Sequence, residues 1–401
     1  MRRPLVVLAA AGLLAAPAAA QTRPAMPLQQ QLSRALAVPH VPARHSAALA
    51  VDLESDTVVF ARNPALPLAP ASNEKLAIAF TALSVLGPAY HIPTLVLGEG
   101  ELVDDVWDGD LLLKGHGDPT LSSADLRRLV TQLRARGIAE VTGNVVGDET
   151  WFDTARTVAG WKPSFYLDES PPLSALVVDH DRFHGYLSRT PALSTAARFV
   201  QLMKQGGIKV DGTFTTHRAS PNAVPLAGVA SRPLHAIIGY MDRESDNFTA
   251  ELLLKQLGAT QLGRGTSAAG AQVVMNELRG ADIPVAGVRV VDGSGLSGLD
   301  RLTPQALVGI LEAAWASPTL RAPLVSSLPV AGRTGTLADR MRRPPARGNV
   351  VAKTGTTNVA SALSGYVKSR YVFAVLQNGF PLSYWWARVA QDRFATILAA
   401  N

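Results

Sequence analysis

The chain has 401 residues, 47% of them hydrophobic and 17% charged, with a formal net charge of +6. That composition excludes a disordered protein, and the length supplies enough apolar side chains for two domains more readily than one. The complete lack of cysteine removes disulfides, thiol nucleophiles and cysteine-linked lipid, and leaves stability to the core alone.

The first twenty residues, MRRPLVVLAAAGLLAAPAAA, read as an export signal. Arg2 and Arg3 form the positive region, Leu5 to Ala15 the apolar stretch, and Ala18 to Ala20 the small-residue cleavage site. The apolar run is too short to span a bilayer comfortably, and no later segment of about 20 unbroken apolar residues follows. The mature protein is therefore expected to be periplasmic or extracellular, with no integral membrane anchor. Loss of the two leader arginines brings the net charge from +6 to +4. Such an excess permits an anionic polymer as partner and requires none.

Residues 21–45 are polar and proline-interrupted, with one helix expected around Leu28 to Leu36. HSAALAVDLESDTVVFARNP gives two apolar runs separated by Glu54-Ser55-Asp56, a hairpin signal. SNEKLAIAFTALSVLG reads as a helix stopped by Gly87-Pro88. From about 92 to 228 the texture changes: short strands (LLLKG, VTGNVVGD, ALVVD) mix with the helices SADLRRLVTQLRARG and LSTAARFVQLMKQGG, both ending in glycine. This stretch is expected to be an inserted α+β domain, with 21–91 and 229–401 forming one discontinuous domain around it. Helices follow around 245–258, 265–279 and 303–316, then a strand pair (VVAKTGTT and ALSGYV) and YVFAVLQN. A last helix, YWWARVAQDRFATILAA, repeats its apolar residues at core-packing spacing.

Three short motifs carry possible chemistry. In Ser72-Asn73-Glu74-Lys75 the serine and lysine are three apart and share a helix face. The helix that follows is almost wholly apolar, so Lys75 should be buried, and desolvation should lower its pKa toward that of a usable base. Ser72 would be a nucleophile at a helix start, where N–H groups favour negative charge. The bland alternative is a capping serine with a snorkelling lysine. In Ser245-Asp246-Asn247 the serine can relay a proton and the asparagine amide can grip a peptide group; a simple helix cap is the alternative. Lys353-Thr354-Gly355 lies in a β-branched strand, where glycine lets a substrate backbone lie close. A near-copy, Arg333-Thr334-Gly335-Thr336, lacks that strand context and reads as a turn. The arginines between the copies, Arg340, Arg342, Arg343 and Arg347, read as a solvated loop.

Each motif alone is weak; S-x-x-K, S-x-N and K-T-G in this order are strong, being the set of active-site-serine penicillin-recognising enzymes. Here the chain resembles the D-alanyl-D-alanine carboxypeptidase/endopeptidase family of low-molecular-mass, class C penicillin-binding proteins. PASNEKL, KGHGDPTLSSADL, MDRESDNFTAELLLK, VDGSGLSGLDRLTP, SLPVAGRTGTLADRM and GNVVAKTGTTNVASALSGYV all resemble that family's segments, over about 45 to 400. The resemblance implies an α/β (α+β) fold: a transpeptidase-like catalytic domain, its mainly antiparallel sheet flanked by helices, split by a smaller inserted α+β domain. It implies roles as well. Ser72 would attack the D-Ala-D-Ala carbonyl with Lys75 as base, Ser245 would protonate the leaving amine, and Asn247 would bind the acyl chain's amide. Lys353 and Thr354 would hold the terminal carboxylate beside Gly355, and the N–H groups of Ser72 and Thr356 would form the oxyanion hole. The implied partners are peptidoglycan stem peptides and β-lactam antibiotics; no nucleic acid, cofactor or metal is called for.

Two departures stand out. After ALVVDHDRFHGYLS the chain passes almost directly to LSTAARFVQLMKQGG, so a third small domain of the family is expected to be absent. Thr334 and Thr357 stand where an aspartate and an apolar residue are usual.

Rival readings fit less well. A secreted β-lactamase would use the same trio, but the Ser72-to-Ser245 gap exceeds what a compact lactamase needs. A non-catalytic wall-binding protein would not need the full set of motif side chains. Gly293-Ser-Gly295-Leu-Ser-Gly298 fits a dinucleotide fingerprint, yet no βαβ unit completes it. No G-x-S-x-G elbow is present. His180 and His184, flanked by Asp179 and Asp181, read as a loop rather than a metal site.

Overall fold

The computed structural model describes residues 26–183 and 185–401. The expected leader and its cleavage site, and His184, lie outside the described residues. In chain order the strands are Ser46–Asp52 (β1), Thr57–Arg62 (β2), Pro93–Val103 (β3), Val106–Gly115 (β4), Glu140–Val141 (β5), Val145–Asp148 (β6) and Arg182–Phe183 (β7). Tyr186–Leu187 (β8), Lys209–Val210 (β9), Phe214–Thr216 (β10), Val224–Ala230 (β11), Val350–Thr356 (β12), Ala360–Val367 (β13) and Tyr371–Asn378 (β14) follow.

The first sheet is antiparallel, in the order β12-β13-β14-β1-β2, and joins the two ends of the chain. β1 and β13 are buried throughout and β14 from Tyr371 to Gln377, which is why β1 and β14 read as apolar runs rather than alternating ones. Successive side chains of a strand point to opposite faces. Ala47, Leu49 and Val51 thus meet one helical layer, built on Glu74–Leu86, Leu234–Glu244 and Pro304–Ala316. Ala48 and Ala50 meet the other, where Leu32, Phe394 and Leu398 come from Leu28–Ala35 and Tyr384–Ala400. β2 and β12 are the edges, and the exposed Thr57 and Val58 of β2 show it.

The helix Glu74–Leu86 lies deepest. It is apolar on every side and buried from Glu74 through Leu83, as a helix enclosed by other helices must be. It ends where Gly87, at φ +84°, turns back to bond Leu83.

A second sheet spans residues 93–230, in the order β10-β6-β4-β3-β11 with β5 and β9 beside it. The helices Ser123–Ala135 and Pro191–Gln205 bury Leu126, Leu129, Phe199 and Met203 against its Val96, Leu111, Leu113 and Val145. Ser122 and Asp125 close a capping box at the first of these helices. A long loop leaves this sheet and packs Phe152, Leu173 and Val177 onto Phe248 and Leu252 of the helix Asn247–Leu262. Two helices, Leu234–Glu244 and Arg321–Ser327, were not apparent from the sequence pattern. Asp179–Asp181 form a 3-10 turn, and Asp179 accepts the backbone N–H of Ser123 at 2.9 Å.

Candidate active site

Ser72 does not sit in the long helix. It lies in a short 3-10 turn, Ala71–Asn73, and the helix begins at Glu74. Ala71 takes φ +48°, in the left-handed region that a β-carbon disfavours, so something must hold it there. Two glycines do. A Cβ on Gly295 would lie 1.9 Å from the Ala71 carbonyl oxygen, and one on Gly355 would lie 2.8 Å from that of Pro70. The Asn73 side-chain amide also donates to the Lys353 carbonyl at 3.1 Å. The Ser72 turn is thus clamped between the loop 292–297 and β12.

Lys75 is fully buried beneath this turn. Its Nζ donates to Ser72 Oγ at 3.0 Å, Asn247 Oδ1 at 2.8 Å and the Ser294 carbonyl at 2.7 Å. Burial pulls its pKa down to about 8, against the upward pull of Asp292 and Glu251. The Ser294 carbonyl is held by buried carboxyls below it. Glu251 Oε1 accepts the N–H groups of Gly293 at 3.0 Å and Ser294 at 2.8 Å. Asp292 accepts those of Gly295 at 2.7 Å and Ser297 at 2.6 Å, and the indole N–H of Trp161 at 2.8 Å. Burial pushes Glu251 up to about 8, with Asp292 adding to the rise, and Glu74 is raised well above its ordinary range for the same reasons. The G-x-G-x-x-G match in this loop is therefore a cradle for the lysine.

Ser245 closes the helix Leu234–Glu244 in the left-handed region, at φ +59°. The cap of the next helix is Asp246, which accepts from Thr249 N at 2.7 Å, so the Ser245 hydroxyl is left for other work. Lys353 Nζ, fully buried, donates to that hydroxyl at 2.8 Å and to the Thr354 carbonyl at 3.0 Å. Burial, then repulsion from Lys75, lowers its pKa to about 7. Asn247 gives one amide hydrogen to the Glu169 carbonyl at 3.0 Å. All the residues singled out by the three motifs meet at one place.

That place is a cleft of about 410 Å³ whose walls include Ser72, Ser245, Asn247, Thr354 and Thr356. The remaining wall includes Glu169, Thr336, Arg340 and Arg388, none of which the sequence reading placed in the site. Arg340 belongs to the arginine cluster read as a solvated loop, and it is ion-paired to Asp392 at 2.6 Å. The first tetrapeptide is a turn, as expected from its context, but a turn with a place in the site. Gly335, at φ +53°, lets it press on the end of the Ser245 helix, where a Cβ would lie 2.5 Å from the Arg243 carbonyl oxygen. Thr354 Oγ1 then donates to Thr336 Oγ1 at 2.8 Å. Each Thr-Gly-Thr copy sets its glycine against one serine-bearing turn. The only sequence signal for Thr336 was the repetition itself.

The profile of the D-Ala-D-Ala carboxypeptidase 3 (S13) family matches residues 28–189 and 184–400. The chain belongs to that family. A D-alanyl-D-alanine carboxypeptidase of Actinomadura sp. (strain R39) is 30% identical over an alignment of 439 positions, covering 88% of this chain and 81% of the relative. Penicillin-binding protein 4 of Haemophilus influenzae superposes with a TM-score of 0.80 at 20% identity, over 92% of this chain and 98% of that one. It is also known in complex with a β-lactam. A predatory peptidoglycan endopeptidase of Bdellovibrio bacteriovorus shares the fold at a TM-score of 0.56 and 18% identity, over 83% of this chain and 86% of that one. The S13 fold, a transpeptidase-like domain with an inserted one, is therefore the fold of this chain. Among the described residues no helix is long and apolar enough to cross a membrane.

Proposed function

We propose that the protein is an exported serine D-Ala-D-Ala carboxypeptidase and DD-endopeptidase that cleaves peptidoglycan stem peptides and is inhibited by β-lactams. The observation that carries this reading is the fully buried Lys75 amine 3.0 Å from the Ser72 hydroxyl. Lys75 Nζ takes the Ser72 proton as Oγ attacks the carbonyl of the penultimate D-Ala, and the oxyanion settles on the N–H groups of Ser72 and Thr356. Ser245 gives its proton to the leaving amine as the C–N bond breaks, and recovers one from the lysines. Lys353 and Thr354 hold the terminal carboxylate beside Gly355, and Asn247 takes the acyl chain's amide. Water then cleaves the Ser72 ester. A β-lactam would stall at that ester because its leaving group stays tethered.

The domain division at 21–91 with 229–401, around 92–228, is part of the same reading. So is the absence of a third small domain. The family profile matches in two stretches that meet at 184–189, and the Actinomadura alignment, at 439 positions, is longer than the 401-residue chain. Digestion of purified peptidoglycan, with mass analysis of released D-alanine and split cross-links, tests the activity. Ser72→Ala should abolish both products and covalent penicillin labelling; labelling that persists at another serine would refute the assignment. A penicilloyl-enzyme turned over within milliseconds would mark a β-lactamase instead.

A further inference from the structure

We infer that Thr336 is a substrate-binding residue whose hydroxyl takes one oxygen of the peptide's C-terminal carboxylate alongside Thr354. The inference rests on the proposed reaction and adds to it a group from outside the three motifs.

Thr354 is nearly buried, and its O–H points at Thr336 Oγ1, 2.8 Å away. A hydroxyl has one proton, so Thr354 cannot serve a carboxylate while donating to its neighbour. Thr336 accepts that bond, is exposed on the cleft wall, and donates to no protein acceptor among the described residues. Its own proton is therefore the one directed to a ligand. A carboxylate has two oxygens and about four lone-pair sites, more than Lys353 and a single threonine can satisfy. When the carboxylate enters, either Thr354 turns its proton to one oxygen and Thr336 gives its own to the other, or the bond between them stays and Thr336 alone donates.

The hydroxyl is also held in place. Thr336 sits in the 3-10 turn Gly335–Leu337, whose Leu337 is buried and whose carbonyl accepts the Gly332 N–H at 2.9 Å. Gly335 lies against the backbone that leads to Ser245, so the turn cannot slide without moving that serine.

The test compares a peptide ending in D-Ala-D-Ala with the same peptide ending in D-alaninamide, for the wild-type protein, Thr336→Val and Thr336→Ser. A lost hydrogen bond to a carboxylate should cut kcat/KM for the acid roughly 10- to 100-fold in Thr336→Val, mainly through KM. The amide should be cleaved as by the wild type, and Thr336→Ser should restore most of the loss on the acid. Equal losses on acid and amide, or no loss on the acid, would overturn the inference. Covalent penicillin labelling of the wild-type protein at Ser72 separates the two levels. If it labels and cleaves the acid while Thr336→Val behaves identically, the inference fails alone; if the wild type does neither, the proposed reaction fails.

Discussion

Two fully buried lysines stand behind one cleft, burial lowers the proton affinity of both and Lys75 further lowers that of Lys353, and this makes a sharp prediction about pH. Lys75 must lose its proton before it can accept one from Ser72, so acylation rises with pH as Lys75 deprotonates. Lys353 must keep its proton to attract a carboxylate, so acylation falls as pH passes the point where Lys353 is neutral. The working form is the pair with its one proton on Lys353; with Lys353 at about 7 and Lys75 at about 8 it is the minor arrangement of the singly protonated pair, and its share rises and falls with the two titrations of the pair. With pKa values of about 7 and about 8, the singly protonated pair peaks near pH ~7.5 and falls about 20-fold by pH ~5.5 and again by pH ~9.5. The assay is kcat/KM for release of D-alanine from a short D-Ala-D-Ala peptide, which reports the unliganded enzyme. Ionic strength is held constant and stability is checked at each pH. A flat profile from pH ~6 to ~9, or a rise that continues to pH ~10.5, where an ordinary lysine titrates, would refute the argument that burial tunes these amines.

Other consequences can be checked separately. Gly355→Ala would drive a methyl group to 2.8 Å from the Pro70 carbonyl oxygen and 3.1 Å from the Ser72 nitrogen, so the nucleophile turn must shift. The rate of labelling by a fluorescent penicillin should drop about 10- to 100-fold with the fold retained by circular dichroism. Glu251 is pushed up to about 8 by burial and so is mainly neutral at pH 7, where Gln is its isostere. Glu251→Gln should keep most activity, whereas Glu251→Ala leaves two buried N–H groups unpaired and should cost about 2–3 kcal/mol in urea melts along with most labelling. Phe199→Ala opens a cavity in the core of the second sheet, far from Ser72, and should cost about 3–5 kcal/mol by denaturant titration. Below its transition that variant should still label with penicillin at the wild-type rate.

Much of this protein is written in local pattern. The apolar helix after Ser72 could only be buried, and burying it carried Lys75 into a place where an amine has a depressed pKa. The β-branched run around Lys353 and the apolar run of β14 settled their strands, because period and branching act over a few residues. What sequence spacing could not give was anything set by contact between distant segments. The 3-10 turn at Ala71–Asn73 exists because Gly295 and Gly355, more than 200 residues away, leave no room for another path. Arg340 reads as one charge in a solvated loop until Asp392, on the last helix, draws it to the cleft wall. The turn at 333–336 reads as punctuation until Thr354 reaches across to Thr336. The chain's own order picked out Ser72, the two lysines and the strand. Only packing, which acts without regard to sequence distance, decided which neighbours close the cleft around them.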